Sequence, residues 1–233
     1  MNLDNKHIVI TGVSKGIGLE LTKQLTAKGA HVYGWGRNAP KEFNHGNFHF
    51  FNCDVQSEQS VNEAAKATLE KSSGQIDGLI NNAGLGYFGF LEEQPMQEIE
   101  SMVSTNILGV IYSTRSVLPA MKAQESGHII NISSIAGIEA YQQVSVYSAT
   151  KFAITGYSQG LYKELRDKGV KVTCIHPGST ETNFFDNVDA ITAHSNMLSP
   201  VEVAANIVFV LESSDNFLTN TVVFRPMNPK PKK

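Results

Sequence analysis

Tyr147 and Lys151 stand four residues apart in SVYSATKFAITGYSQGLYKEL, and Ser134 in IINISSIAG precedes the tyrosine by thirteen. On a helix, positions i and i+4 share a face, so a phenol and an ammonium there point into one cleft. A cation beside a phenol favours phenolate and is expected to lower its pKa. A phenol tuned in this way gives a proton to a carbonyl oxygen, or takes one from an alcohol, near neutral pH. The same spacing also occurs on ordinary amphipathic helices. The pair therefore gains meaning only from the elements that position it.

Those elements alternate between strand-like and helix-like patterns along the chain. Apolar runs at HIVIT, HVYGW, FHFFN, DGLINN, HIINIS, KVTCIH and TVVF predict seven strands, with helical patterns at about 17–28, 57–72, 96–124, 146–168 and 200–212. Such alternation predicts an α/β fold of Rossmann type: a doubly wound, mainly parallel seven-stranded sheet with helices on both faces. Pro119 falls inside the third helical pattern and is expected to kink it or mark its last turns. No linker or repeat divides the 233 residues, so one domain over 1–233 is expected, with a tail at 226–233. An open α/β sheet binds its ligands beyond the carboxyl ends of its strands. Gly12–Gly18, Asn81–Gly84, Ser133–Ser134 and Pro177–Gly178 all fall at such ends.

Gly12, Gly16 and Gly18 follow the first strand and open a helix. Glycines there permit a tight turn and a close approach to a pyrophosphate, which a helix N-terminus favours. Taken in order, TGVSKGIG at 11–18, NNAG at 81–84, Asn106 in STNILG, Ser134, Tyr147, Lys151 and HPGSTET at 176–182 closely resemble the short-chain dehydrogenase/reductase family. The resemblance runs from about Lys6 to Thr182 with order and spacing kept.

That resemblance implies an oxidoreductase site made of Asn106, Ser134, Tyr147 and Lys151. Tyr147 would be the general acid in carbonyl reduction and the general base in the reverse reaction. Ser134, rather than Ser133, would hydrogen-bond the reacting oxygen. Lys151 would bind the nicotinamide ribose and lower the Tyr147 pKa, and Asn106 would position Lys151 through a water-linked path. Cofactor contacts are expected from Gly12, Ser14, Lys15, Gly16, Ile17 and Gly18, from Asp54 and Val55 beside the adenine, and from Asn82, Ala83 and Gly84. Tyr147, Lys151, Pro177, Gly178 and Thr182 would complete the nicotinamide end, with Thr180 as the alternative to Thr182. Asn81 is open between a ligand and a purely structural part.

The cofactor's identity is read after the second strand. NAD-selective sites hold the ribose with a carboxylate about twenty residues beyond the glycines. Here Gly36 and Arg37 occupy that place, and the first acid is Glu42. Arg37 can pair with a 2′-phosphate, and Lys15 at a helix N-terminus implies an anion nearby. Both point to NADP(H).

The expected partner is a small carbonyl or alcohol substrate. The resemblance implies a substrate loop at 183–199, where Phe184, Phe185 and Met197, with Tyr87 and Phe88, could close an apolar pocket around that substrate, or the two phenylalanines could pack a small helix. Tyr141, Tyr157 and Tyr162 are expected to pack or to line a cleft. Reduction of 3-oxoacyl groups on acyl carrier protein is an alternative that Glu125 disfavours, since it would oppose an acidic partner. An idle NADP(H) sensor is the alternative of another class.

A net charge of −3 gives no reason to expect nucleic-acid binding. Cys53 and Cys174 are expected as buried thiols, and no Cys/His spacing supports a metal. Most of the seven histidines are expected at the surface or as caps. No run reaches membrane-spanning length, and a cytoplasmic protein with no membrane contact is expected. The family resemblance further implies a homodimer or homotetramer through the helices at 96–124 and 146–168.

Overall fold

The computed structural model describes residues 1–182, 184 and 194–228. The expected tail beyond 228 and most of the expected substrate loop, Phe185 included, lie outside the described residues.

Seven strands form one sheet: β1 (His7–Thr11), β2 (His31–Gly36), β3 (Phe48–Asn52), β4 (Gly78–Asn81), β5 (Gly127–Ile132), β6 (Val170–Pro177) and β7 (Thr221–Phe224). All six pairings are parallel, in the order β3-β2-β1-β4-β5-β6-β7. The sheet is thus wholly parallel. Parallel strands must be covered on both faces, which is why β1, β4, β5 and β6 read as near-continuous apolar runs.

Helices α1 (Gly16–Ala27) and α6 (Pro200–Leu211) cover one face, where Leu21, Leu25, Ile207 and Leu211 join Ile8 and Ile10. The other face takes α2 (Glu58–Lys71), α4 (Gly109–Ala123) and α5 (Ser145–Leu165), through Val61, Val117, Met121, Leu161 and Leu165. Each fully buried Leu, Ile or Val in these layers contributes about 1.5–3 kcal/mol. Ser57 caps α2 by accepting from Ser60 N–H at 3.3 Å, and Ser199 with Pro200 opens α6.

The long helical pattern at 96–124 is one continuous run in three parts. It begins as α3 (Met96–Val103), widens to a π-helical turn at Ser104–Leu108, and continues as α4. Pro119 lies four residues before the end of α4 and marks its final turns. The irregularity falls instead at the turn that holds Asn106.

Chain order reverses direction between β1 and β4, the switch point at which open sheets leave a crevice. The loops after β1 and β4 lie side by side at its floor. The cleft follows this edge.

Candidate active site

A cleft of about 1090 Å³ runs along the carboxyl edge of the sheet, from the ends of β2 and β3 to the end of β7. Of the residues expected at the site, Gly12, Ser14, Lys15, Gly16, Ile17, Arg37, Asp54, Val55, Asn82, Ala83, Gly84, Ser134, Tyr147, Lys151, Pro177, Gly178, Thr180 and Thr182 all line it. Gly18 and Asn106 do not.

The glycine loop owes its shape to close approach. Gly12 has φ +76°, and a Cβ there would meet Ala83 Cα at 2.9 Å. Gly18 packs so closely on the Gly12 carbonyl that no side chain fits. It therefore acts by letting the first turn of α1 close onto β1, and it takes no part in the lining. Thr11 Oγ1 accepts from the N–H groups of Asn82 at 3.0 Å and Ala83 at 2.9 Å. The Asn82 amide donates to the carbonyls of Thr11 and Gly12, both at 2.9 Å. NNAG is thus bolted to TGVSKGIG. Asn81 faces inward, donating to Thr114 Oγ1 at 3.0 Å and Asn131 Oδ1 at 2.8 Å, which makes it a core residue.

The cleft's features fit a phosphorylated dinucleotide. The first turn of α1 carries no acidic residue and Lys15 makes no side-chain cap, so its N–H groups suit an anion. Arg37 stands at the rim, its carbonyl tied by Asn52 at 3.1 Å. Asp54 is the one carboxylate among the described lining residues, and its Oδ1 accepts from Gln56 N–H at 3.0 Å.

Tyr147 and Lys151 share the cleft face of α5, as their spacing requires. They are 7% and 6% exposed. Lys151 Nζ lies 5.7 Å from the Tyr147 ring centroid and donates to the Ile132 carbonyl at 3.0 Å. Ser134 faces Tyr147, tempering the effect of burial on its phenol, and accepts from Ala136 N–H at 3.1 Å. Ser133 turns away and donates to the Lys151 carbonyl at 2.9 Å, holding α5 against β5.

The expected lowering of the phenol pKa is not what this arrangement produces. Burial pushes the Tyr147 phenol well above its ordinary range, and Ser134 opposes that only in part. Burial also pulls the Lys151 ammonium down to about 8. Desolvation is the largest cause for the phenol, and the Lys151 ammonium, 5.7 Å from the ring centroid, is directed at the Ile132 carbonyl.

Asn106 is 1% exposed and lies beneath the cleft. Its amide donates to the Leu85 carbonyl at 2.8 Å and to Thr150 Oγ1 at 3.0 Å, and its Oδ1 accepts from Leu85 N–H at 3.0 Å. Thr150 in turn donates to the Tyr147 carbonyl at 2.7 Å. The π turn thus fastens the loop after β4 to the helix that carries the phenol.

Phe88 and Phe184 pack at a tilt against Tyr147 with centroids 5.6 and 5.5 Å away, so an apolar wall stands beside the phenol. Met197 is buried but does not line the cleft. Tyr141 lines it, while Tyr157 and Tyr162 pack against the core. Cys53 and Cys174 are buried and free, as expected. Gln142, Gln143 and Arg225 also line the cleft, and sequence patterns did not single them out. The Arg-Pro pair at the end of β7 was the one available signal. Two histidines depart from the expected surface or capping places. His128 and His176 are fully buried, and His176 Nδ1 lies 3.0 Å from the Ser134 carbonyl. Both sit on central strands whose faces are covered. Among the described residues no His, Cys, Asp and Glu group could hold a metal ion.

A phenol, a hydroxyl and an ammonium thus line the cleft at the carboxyl edge of a dinucleotide-type sheet, beside the end of β5. The chain belongs to the short-chain dehydrogenase family, whose model matches residues 6–192. An uncharacterized oxidoreductase of Staphylococcus saprophyticus is 34% identical over 236 residues, covering 97% of this chain and 100% of the relative. A structure of ElxO with NADP bound superposes with TM-score 0.84 at 30% identity, over 94% of this chain and 96% of that one. The closed form of a serine dehydrogenase complexed with NADP+ gives TM-score 0.87 at 30% identity, over 94% of each chain.

Proposed function

We propose that this oxidoreductase uses NADP(H) to reduce a ketone or aldehyde to an alcohol, or to run the reverse reaction. The observation that carries the reading is the meeting of Ser134, Tyr147 and Lys151 in the same cleft as the glycine loop and Arg37. NADP bound in ElxO and in the serine dehydrogenase supports the choice of cofactor. So does the stretch after β2, where Arg37 stands in place of a carboxylate.

The glycine loop and the α1 N-terminus would hold the pyrophosphate, Arg37 and Lys15 the 2′-phosphate, and Lys151 the nicotinamide ribose. Bound there, NADPH supplies hydride to the carbonyl carbon. Ser134 donates a hydrogen bond to the carbonyl oxygen and stabilises the charge that develops on it. Tyr147 delivers its phenolic proton to that oxygen, and the product is the neutral alcohol. A phenol kept protonated by burial suits the acid's part. Lys151 then faces a phenolate, whose charge its ammonium stabilises. Phe88 and Phe184 exclude water from the apolar side of the reacting group.

The test is cofactor consumption with NADPH and with NADH over a panel of ketones and aldehydes. Turnover with a clear NADPH preference is expected. Tight NADPH binding with no turnover of any carbonyl would favour an idle sensor instead.

A further inference from the structure

Four described cations line the cleft, Lys15, Arg37, Lys151 and Arg225, against one carboxylate, Asp54. Three of them belong to the dinucleotide in the reading above. Arg225 does not. Five strand intervals separate β2 from β7, roughly 24 Å at ~4.8 Å each. A phosphate held at Arg37 therefore cannot also reach Arg225.

Arg225 instead belongs to the mouth beside the reacting groups. Gly178 N–H donates to the Phe224 carbonyl at 2.7 Å. A Cβ on Gly178 would meet Pro226 Cδ at 2.9 Å and Arg225 Cα at 3.6 Å. The chain leaving β7 is thereby pressed against the turn that ends β6. From there the Arg225 side chain reaches across to the loop before α5, with Nη2 3.3 Å from Glu139 Oε2. The Tyr141 hydroxyl donates to the same oxygen at 3.0 Å. Arg225 and Tyr141 line the cleft and Glu139 does not.

The ion pair is half exposed on both sides, 51% and 56%, and long. Exposed pairs of this kind are weak and exchange readily. A guanidinium carries five N–H donors in a planar fork, and it matches a carboxylate best when two of them engage together. An incoming carboxylate that engaged both arms of the fork would therefore gain more at Arg225 than the single Glu139 contact supplies.

We infer that Arg225, with Tyr141 beside it, is the anion-recognising end of the substrate cleft, and that the substrate is an oxo acid or hydroxy acid. The inference rests on the proposed carbonyl–alcohol reaction in the same cleft. Phe88 and Phe184 then take the hydrocarbon part, and the carboxylate lies on the β7 side. Glu139 acts as the internal carboxylate that holds the fork in place until substrate enters.

The experiment compares oxo acids with their methyl esters, using 4-oxopentanoate and 4-formylbenzoate with each ester. NADPH consumption is followed for the wild type, Arg225→Gln, Arg225→Lys and Glu139→Gln. The wild type is expected to favour acid over ester by about three- to five-fold in kcat/KM, the upper end for a pair at a half-exposed guanidinium. Arg225→Gln should bring that ratio near one through KM for the acid, and Arg225→Lys should restore part of it. Glu139→Gln should raise the ratio, since the competing carboxylate is gone. A wild type that favours the esters overturns the inference, as does a ratio unmoved by all three variants. No turnover of any acid or ester, with NADPH bound, overturns the proposed reaction and this inference together.

Discussion

Lys151 is the residue whose environment sets the alkaline limit of the proposed reaction. Its pKa in the folded protein is about 8, below the ordinary value of 10.5, because burial penalises the charge. The ammonium is therefore present below about pH 8 and lost as pH rises through that value. The rate constant kcat/KM, taken with NADPH limiting, is expected to fall above about pH 8. A profile flat to pH 10 would show that this ammonium does not act. The i, i+4 geometry of Tyr147 and Lys151 was legible from their spacing alone. The direction of the phenol's shift was not. It depends on Phe88, Phe184 and Ala136 closing over the ring, contacts between segments far apart in the chain.

At the scale of elements, all seven strands were legible: the buried central ones leave unbroken apolar runs, and the edge strands β3 and β7 are short runs of aromatic or β-branched residues. The helices followed from the periodicity between them. What the pattern concealed was the π turn at Ser104–Leu108 inside an apparently uniform helix. Its cause is tertiary, since widening the turn aims Asn106 at both polar groups of Leu85 and at Thr150. Asn106→Ala leaves the Leu85 N–H and carbonyl without these partners. A loss of about 1–3 kcal/mol in stability is expected, read from the denaturant midpoint. A reduced NADPH turnover should accompany it, because the loop after β4 and α5 would no longer be fastened together. A midpoint within error of the wild type would contradict the structural part given to Asn106.

For the whole molecule, the histidines govern the response to acid. His128 is buried in β5 with its pKa lowered to about 3, chiefly by burial. Its Nε2 lies 2.8 Å from Thr173 Oγ1. His7, His49 and His176 are also lowered, with burial as the largest cause in each. For a histidine whose folded pKa is depressed, the unfolded chain takes up protons first as pH falls below about 6.5. Stability is therefore full above that value and declines below it. His128 alone should cost about 2 kcal/mol by pH 5, and His128→Gln should flatten that decline. Equal acid sensitivity in the variant would place the effect elsewhere. The outer surface carries a second expectation. Val103, Leu108 and Phe152 are exposed on the α3–α4 run and on α5, which supports the proposed homodimer or homotetramer. Light scattering should find no monomer at micromolar concentration, and a clean monomer would remove that proposal. No helix among the described residues is long and apolar enough to cross a membrane.

The account depends most on a proton leaving Tyr147 for the oxygen of a carbonyl compound, and one comparison reaches that claim directly. NADPH consumption with a carbonyl that the wild type reduces should be measured beside Tyr147→Phe, together with NADPH affinity for both. The variant is expected to lose roughly 10²–10⁴-fold in turnover while binding NADPH as the wild type does. A phenylalanine variant that reduced the same carbonyl at the wild-type rate would contradict the account.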